Sequence, residues 1–220
     1  MIVPTDADYI ETKRLKRDGR KPLPPLDGLA EWISTHYHVE VLNLFYDRII
    51  PDNRPRLTVI LESKKDELKF RESALGNFNR IDQNRIAEQF SSIVAEKNNA
   101  RFSTDGLLVI FSSFEPVARM EANQSVSEAD LEGLKKKLAN PDLWTISRMF
   151  ASVTFLFYTE EQIKKYEAAG LRDLYAREYS NLVQPHDEFG YVSQTGISAF
   201  FDSKENFDKN YQGNWYYYYK

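Results

Sequence analysis

The chain has 220 residues and a mass of 25.7 kDa, with 29 Lys and Arg against 33 Asp and Glu for a formal charge of −4. A composition of 42% hydrophobic, 28% charged and 14% aromatic residues is that of a folded domain and excludes wholesale disorder. Gly 9 and Pro 9 exclude collagenous and low-complexity classes, and Cys 0 excludes disulfides, a cysteine nucleophile and thiolate metal ligands.

No apolar run approaches the roughly 18 residues of a membrane span, so no membrane partner is expected. The opening Met1-Ile-Val-Pro-Thr-Asp-Ala-Asp8 has no basic region followed by an apolar one, so no secretory leader is expected either. A cysteine-free chain is compatible with the reducing cytoplasm, the compartment assigned here.

Residues 1–25 carry Lys13, Arg14, Lys16, Arg17, Arg20 and Lys21 against Asp6, Asp8, Glu11 and Asp18, and end in Lys21-Pro-Leu-Pro-Pro25. They read as a basic, proline-rich arm of extended backbone, dispensable for folding. Leu26, Leu29, Ala30 and Ile33 have helical spacing. Val39–Ile50 and Arg56–Glu62 read as strands of an antiparallel hairpin around Pro51-Asp-Asn-Arg-Pro55. A short helix over Ser63–Arg71 follows. Ile81, Ile86, Phe90, Ile93 and Val94 then mark a helix to about Glu96. Gly106–Ser112 reads as a strand that runs on past Pro116 to Met120 at a sheet edge.

Ser127–Leu138 reads as a helix stopped by Asn140-Pro141. Thr145–Tyr158 fits helix or strand and ends as a strand over Val153–Tyr158. Helices over Glu160–Ala169 and Leu171–Leu182 follow, then a hairpin of Tyr191–Gln194 with Ile197–Phe201 around Thr195-Gly196. A helix over Ser203–Asn210 and a strand over Trp215–Tyr219 close the chain.

One junction recurs. An apolar strand runs into Ser63-Lys-Lys-Asp66, into Thr159-Glu-Glu-Gln162 and into Ser203-Lys-Glu-Asn206. In each, the hydroxyl is placed to accept from a free N–H of a helix's first turn. General capping chemistry explains the recurrence, and the segments do not align beyond it. A duplicated βα unit is the other reading.

Of three histidines, His36 and His38 flank Tyr37, and His186 begins His186-Asp187-Glu188. In extended backbone His36 and His38 would share a face, and with Asp187 or Glu188 they would suit a divalent metal. Surface histidines beside a solvated loop are the simpler reading, and no metal site or cofactor is assigned. Glycine-rich phosphate loops, a Gly-x-Ser-x-Gly elbow, EF-hand loops and HExxH are absent. The basic arm is the best case for nucleic acid, but a pI near 5.5 and the lack of a reading module weigh against that partner. The end, Asn214-Trp-Tyr-Tyr-Tyr-Tyr-Lys220, would as a strand set Trp215, Tyr217 and Tyr219 on one side and Tyr216 and Tyr218 on the other.

The fold class expected is α+β: one mixed or mainly antiparallel sheet with several packed helices. Residues 26–220 form a single domain behind the arm, with two lobes joined near 121–145 as the alternative. The function expected is a cytoplasmic protein-binding module, of toxin-neutralising (immunity) or other regulatory type, with Trp215, Tyr216, Tyr218 and Tyr37 as contact residues and Tyr46 and Tyr191 as extensions. Its partner is another protein, and a homo-oligomer is compatible. The alternative is an enzyme of unassigned chemistry built on a His/carboxylate or metal centre, with His36, His38, His186, Asp187 and Glu188 as candidates.

Overall fold

The computed structural model describes residues 2–220. The chain divides into two units, one ending at Val117 and the other running from Ala118 to Lys220. The first opens with α1 (Ala7–Arg17) and α2 (Leu26–Tyr37), then the strands β1 (Val41–Ile49) and β2 (Arg54–Leu61). Two helices, α3 (Lys64–Leu68) and α4 (Arg80–Glu96), lead to β3 (Leu108–Ser113). The division falls inside α5 (Glu115–Gln124). The second unit continues with α6 (Glu128–Leu138), β4 (Leu143–Met149), β5 (Ser152–Phe157), α7 (Glu160–Ala168) and α8 (Leu171–Val183). After a 3₁₀ turn at Gln184–His186 come α9 (Tyr191–Thr195), β6 (Ser198–Ser203), α10 (Lys204–Tyr211) and α11 (Trp215–Tyr218).

The fold is α+β, with one three-stranded mixed sheet in each unit, ordered β1-β2-β3 and β4-β5-β6. In each, a hairpin supplies the antiparallel pair, and a strand returning after helices pairs parallel on the far side of the hairpin's second strand. That return needs a crossover, because a tight turn cannot join parallel neighbours. Ser113 pairs with Leu61 and Ser203 with Phe157, which gives the sheets a common register. The first strand of each slips at one place: between Val41 and Asn43, and between Leu143 and Thr145. The three recurring junctions are caps: Ser63, Thr159 and Ser203 accept from the N–H of Asp66, Gln162 and Asn206. Both units thus share the order helix, hairpin, two helices and a returning parallel strand, with the 3₁₀ turn and α9 added before the last strand of the second.

One face of each sheet carries its core. In the first, Leu57, Val59, Leu61, Val109 and Phe111 pack against Leu29 and Ile33 of α2 and Ile86 and Phe90 of α4. In the second, Val153, Phe155 and Phe157 pack against Leu131 and Leu134 of α6 and Tyr175, Tyr179 and Val183 of α8. Asn123 ties α5 into this unit by donating to the carbonyls of Phe150 and Ser152 and accepting from the Tyr179 hydroxyl at 2.7 Å.

The opposite face of the first sheet overturns the expected arm. Residues 7–17 are helical, with Tyr9, Thr12 and Leu15 buried. Tyr9 stacks on Phe114 at 5.1 Å, Asn43 donates to the Thr12 hydroxyl at 3.3 Å, and Lys16 pairs with Glu62 at 2.8 Å. The buried positions lie three residues apart among charged ones, too sparse an apolar stripe to stand out as a helix.

Other elements differ from expectation. Beyond Ser113 the chain is helix, since Pro116 lies in the first turn of α5, where a missing N–H leaves no bond unmade. Thr145–Tyr158, open between helix and strand in the sequence, takes the strand alternative: β4 and β5 form a hairpin, turned at Phe150 with φ 51 and without the glycine or asparagine that marks such turns. Tyr191–Thr195 is helical because Asp187 accepts from the N–H groups of Val192 and Ser193 at 2.9 and 3.0 Å, so no hairpin forms with β6. No helix among the described residues is long and apolar enough to cross a membrane.

One carboxylate lies in the first unit's interior. Glu67 is 4% exposed and is held by Lys64, Arg71 and the Ser113 hydroxyl at 2.7–2.9 Å. Burial disfavours its charged form, but those hydrogen bonds outweigh burial and keep it below its ordinary pKa. Glu67→Gln should therefore cost about 1–3 kcal/mol at pH 7. A depressed carboxylate contributes above the unfolded-state pKa of about 4.3 and loses that contribution as pH falls through the folded value. Urea titrations of both proteins should show the gap constant at neutral pH and closing below about pH 4. Tyr9→Ala should cost about 3 kcal/mol in the same titration. A change under about 0.5 kcal/mol would return α1 to the status of an appendage.

Candidate interaction surface

The last seven residues build the second unit's outer layer. Tyr and Trp favour strands, but the Asn214 side chain accepts from the Tyr216 N–H at 2.9 Å and starts a helical turn. The expected strand over Trp215–Tyr219 is thereby replaced by α11. Helical spacing sets Trp215, Tyr218 and Tyr219 on one side and turns Tyr216 and Tyr217 outward, 68% and 48% exposed.

The inward side is closely engaged. The Trp215 ring lies 4.3 Å from that of Phe207 and stacks on Trp144 at 6.1 Å. Tyr218 donates to Asp202 at 2.6 Å, and the Tyr219 hydroxyl meets Ser147 at 2.5 Å. Asp202 also accepts from the Ser203 N–H at 2.7 Å and from Asn206 at 2.8 and 3.1 Å. Burial, reinforced by Asp202, pushes the Tyr218 hydroxyl well above its ordinary pKa, and burial also raises Tyr219. Both phenols remain neutral at physiological pH.

Beside this layer lies an open cleft of about 560 Å³, lined by Met149, Phe150, Ser152, Thr154, Phe200, Phe201, Asp202, Tyr211, Tyr218, Tyr219 and Lys220. Phe150 and Phe200 are each 52% exposed. Lys220 links the cleft to the outward tyrosines, its ammonium 5.8 Å from the Tyr216 ring. A cleft walled by rings with a few fixed polar groups is a surface suited to recognition. Phe150, Phe200, Asp202 and Tyr211 were missed from sequence. The alternation Ala199-Phe200-Phe201 holds a signal for Phe200, because Ala199 and Phe201 pack on the core and Phe200 must point away.

The other candidates lie elsewhere. Tyr37 ends α2 amid rings, 4.8 Å from His36 and 4.8 Å from Phe70. Its hydroxyl is enclosed without a hydrogen bond, and burial, with Asp82 nearby, raises its pKa. His36 stacks on Trp32 at 4.8 Å. His38 is the left-handed C-cap of α2, φ 52, so the extended arrangement placing both imidazoles on one face does not occur. His186 ends the 3₁₀ turn, Asp187 caps α9, and the Glu188 N–H bonds the His186 carbonyl at 3.1 Å. Among the described residues no group of three or more His, Asp or Glu side chains is arranged to hold a metal ion. Tyr46 packs on Phe90 and Phe102 and bonds Ser103, and Tyr191 is buried.

No family model, curated protein or solved structure matches this chain.

The two sides of α11 should behave differently under mutation. Trp215→Ala should lower stability by about 2 kcal/mol, less than for a fully buried indole because this ring is part-exposed. Tyr216→Ala should change it by less than about 0.5 kcal/mol. Chemical denaturation of the two variants separates the roles, and equal effects would contradict the helical placement.

Proposed function

We propose that the protein is a protein-binding module whose contact surface is the aromatic outer layer of the second unit. One observation carries this reading: Tyr216, Tyr217, Phe150 and Phe200 stand out to solvent on a layer that Trp215, Tyr218 and Tyr219 hold in place. Rings fixed before binding lose little conformational freedom on contact, and Tyr and Trp dominate binding hot spots. The net charge of −4 favours encounter with a basic partner. Within this class, neutralising a toxin by covering its working surface fits a small acidic chain, and the lack of cysteine fits a cytoplasmic setting.

The test is affinity capture from native lysate with the intact protein and with a Tyr216→Ala, Tyr217→Ala double variant. The expected result is a stoichiometric protein partner, bound at least tenfold more weakly by a variant that melts at the unchanged temperature. Capture of no partner, or equal capture by both, would overturn the reading.

A further inference from the structure

Because the two sheets share one topology and register, the cover on one serves as a template for the other. Across the outer face of the first sheet lies α1, eleven residues and roughly 16 Å long. Its contacts are an aromatic, a small polar and an aliphatic side chain, Tyr9, Thr12 and Leu15. On the outer face of the second sheet the cover is shorter: α11, four residues and roughly 6 Å long, packed beside Phe207 of α10. The roughly 10 Å difference is about two helical turns.

The uncovered part falls where the template shows a difference. Ile110 pairs with Thr58 and Phe200 with Thr154, so in the common register they are one position. Ile110 is partly buried, whereas Phe200 is 52% exposed. Asp47 pairs with Arg56 and Met149 with Ser152, again one position. In the first unit Asp47 and Arg56 form an ion pair there, and Asp8 of α1 feels both charges. In the second, the uncharged Met149 and Ser152 line the open cleft beside Phe150.

We propose that this cleft binds an amphipathic helix of a protein partner, in the place on the second sheet that α1 holds on the first. The inference rests on the binding-module reading and names the shape and chemistry of what is bound: about two turns, with apolar or aromatic side chains three or four residues apart. The floor of the cleft includes Ser152 and Thr154 of the central strand β5, which is already paired on both sides, with β4 and with β6. An element seated there must satisfy its own N–H and C=O groups, and a helix does so. Phe150 and Phe200 then meet side chains of one helical stripe.

The probe is a phage-displayed library of amphipathic helices with a randomised apolar stripe, selected on the full chain. Selected peptides are then measured by fluorescence anisotropy against intact protein, Phe200→Asp, the milder Phe200→Ala, and Ile50→Asp as an exposed control in the first unit. The expected result is binders with apolar residues at i and i+3 or i+4. They should weaken at least tenfold with Phe200→Asp, and measurably with Phe200→Ala, without response to Ile50→Asp. No binder above background, binders without helical spacing, or affinity indifferent to both Phe200 variants would overturn it. A self-associated protein dispersed by Phe200→Asp would assign the cleft to a second copy and overturn it equally. A captured partner sensitive to Tyr216 and Tyr217 but indifferent to Phe200 would leave the binding module standing and remove this inference alone.

Discussion

A three-stranded sheet has two faces, and in both units the central strand is buried on each of them. The crossover helices that return each third strand lie on one face only, where Leu57, Val59 and Leu61, or Val153, Phe155 and Phe157, find their partners. The other face of the central strand is no less apolar in its needs. Thr58 and Ile60 in one unit, and Thr154 and Leu156 in the other, are all buried. Cover for that face comes from outside the strand-and-crossover pattern: α1 over the first sheet, α11 over the second. Segments that look like appendages in sequence are thus second layers of the fold.

The two covers use different chemistry because they differ in length. With eleven residues, α1 can bury three spaced side chains and still place Lys16 on Glu62. With four, α11 has room for little beyond its rings, so the area per residue must be large, and Trp and Tyr supply it. Their polar tips are anchored as well. Asp202 gathers Tyr218, Asn206 and the start of α10 on one carboxylate, next to the N-terminus of that helix, where negative charge is favoured. A short cover held this firmly makes a rigid edge, and the exposed rings beside it are presented in fixed positions.

Much of this order was legible in the residues, but unevenly. Capping is local chemistry, so Ser63, Thr159 and Ser203 marked three strand-to-helix junctions correctly. The common register that turns those junctions into a repeat is not local. It depends on which residues face each other across strands, such as Ser113 with Leu61 and Ser203 with Phe157. At Asn214 two local signals competed, the strand preference of five consecutive aromatics and a single cap, and the cap together with the contact to Phe207 prevailed. Phe150 sits in a turn with positive φ, a conformation no sequence rule assigns to phenylalanine, so its place at the cleft could not be anticipated. For His36 and His38 the error was one of backbone state: a helix end followed by a left-handed residue separates what an extended chain would align.

The repeat also says which features need an explanation beyond stability. Where both units solve a problem alike, with a capped helix after the hairpin and a slip in the first strand, folding alone accounts for the residues. Where they part, one solution shows that the other was not required. The first sheet places Asp47 and Arg56 near the turn end of its hairpin, an ion pair that water tolerates. The second places Met149 and Ser152 there and turns Phe150 and Phe200 outward, exposing apolar rings that the same architecture manages without in its other copy. Exposed rings carry a solubility cost, and their concentration on one face is what supports the proposed contact surface. The aromatic bias of the chain's last third therefore serves two ends that composition alone could not separate: Trp215, Tyr218 and Tyr219 complete the fold, and Phe150, Phe200, Tyr216 and Tyr217 face outward from it.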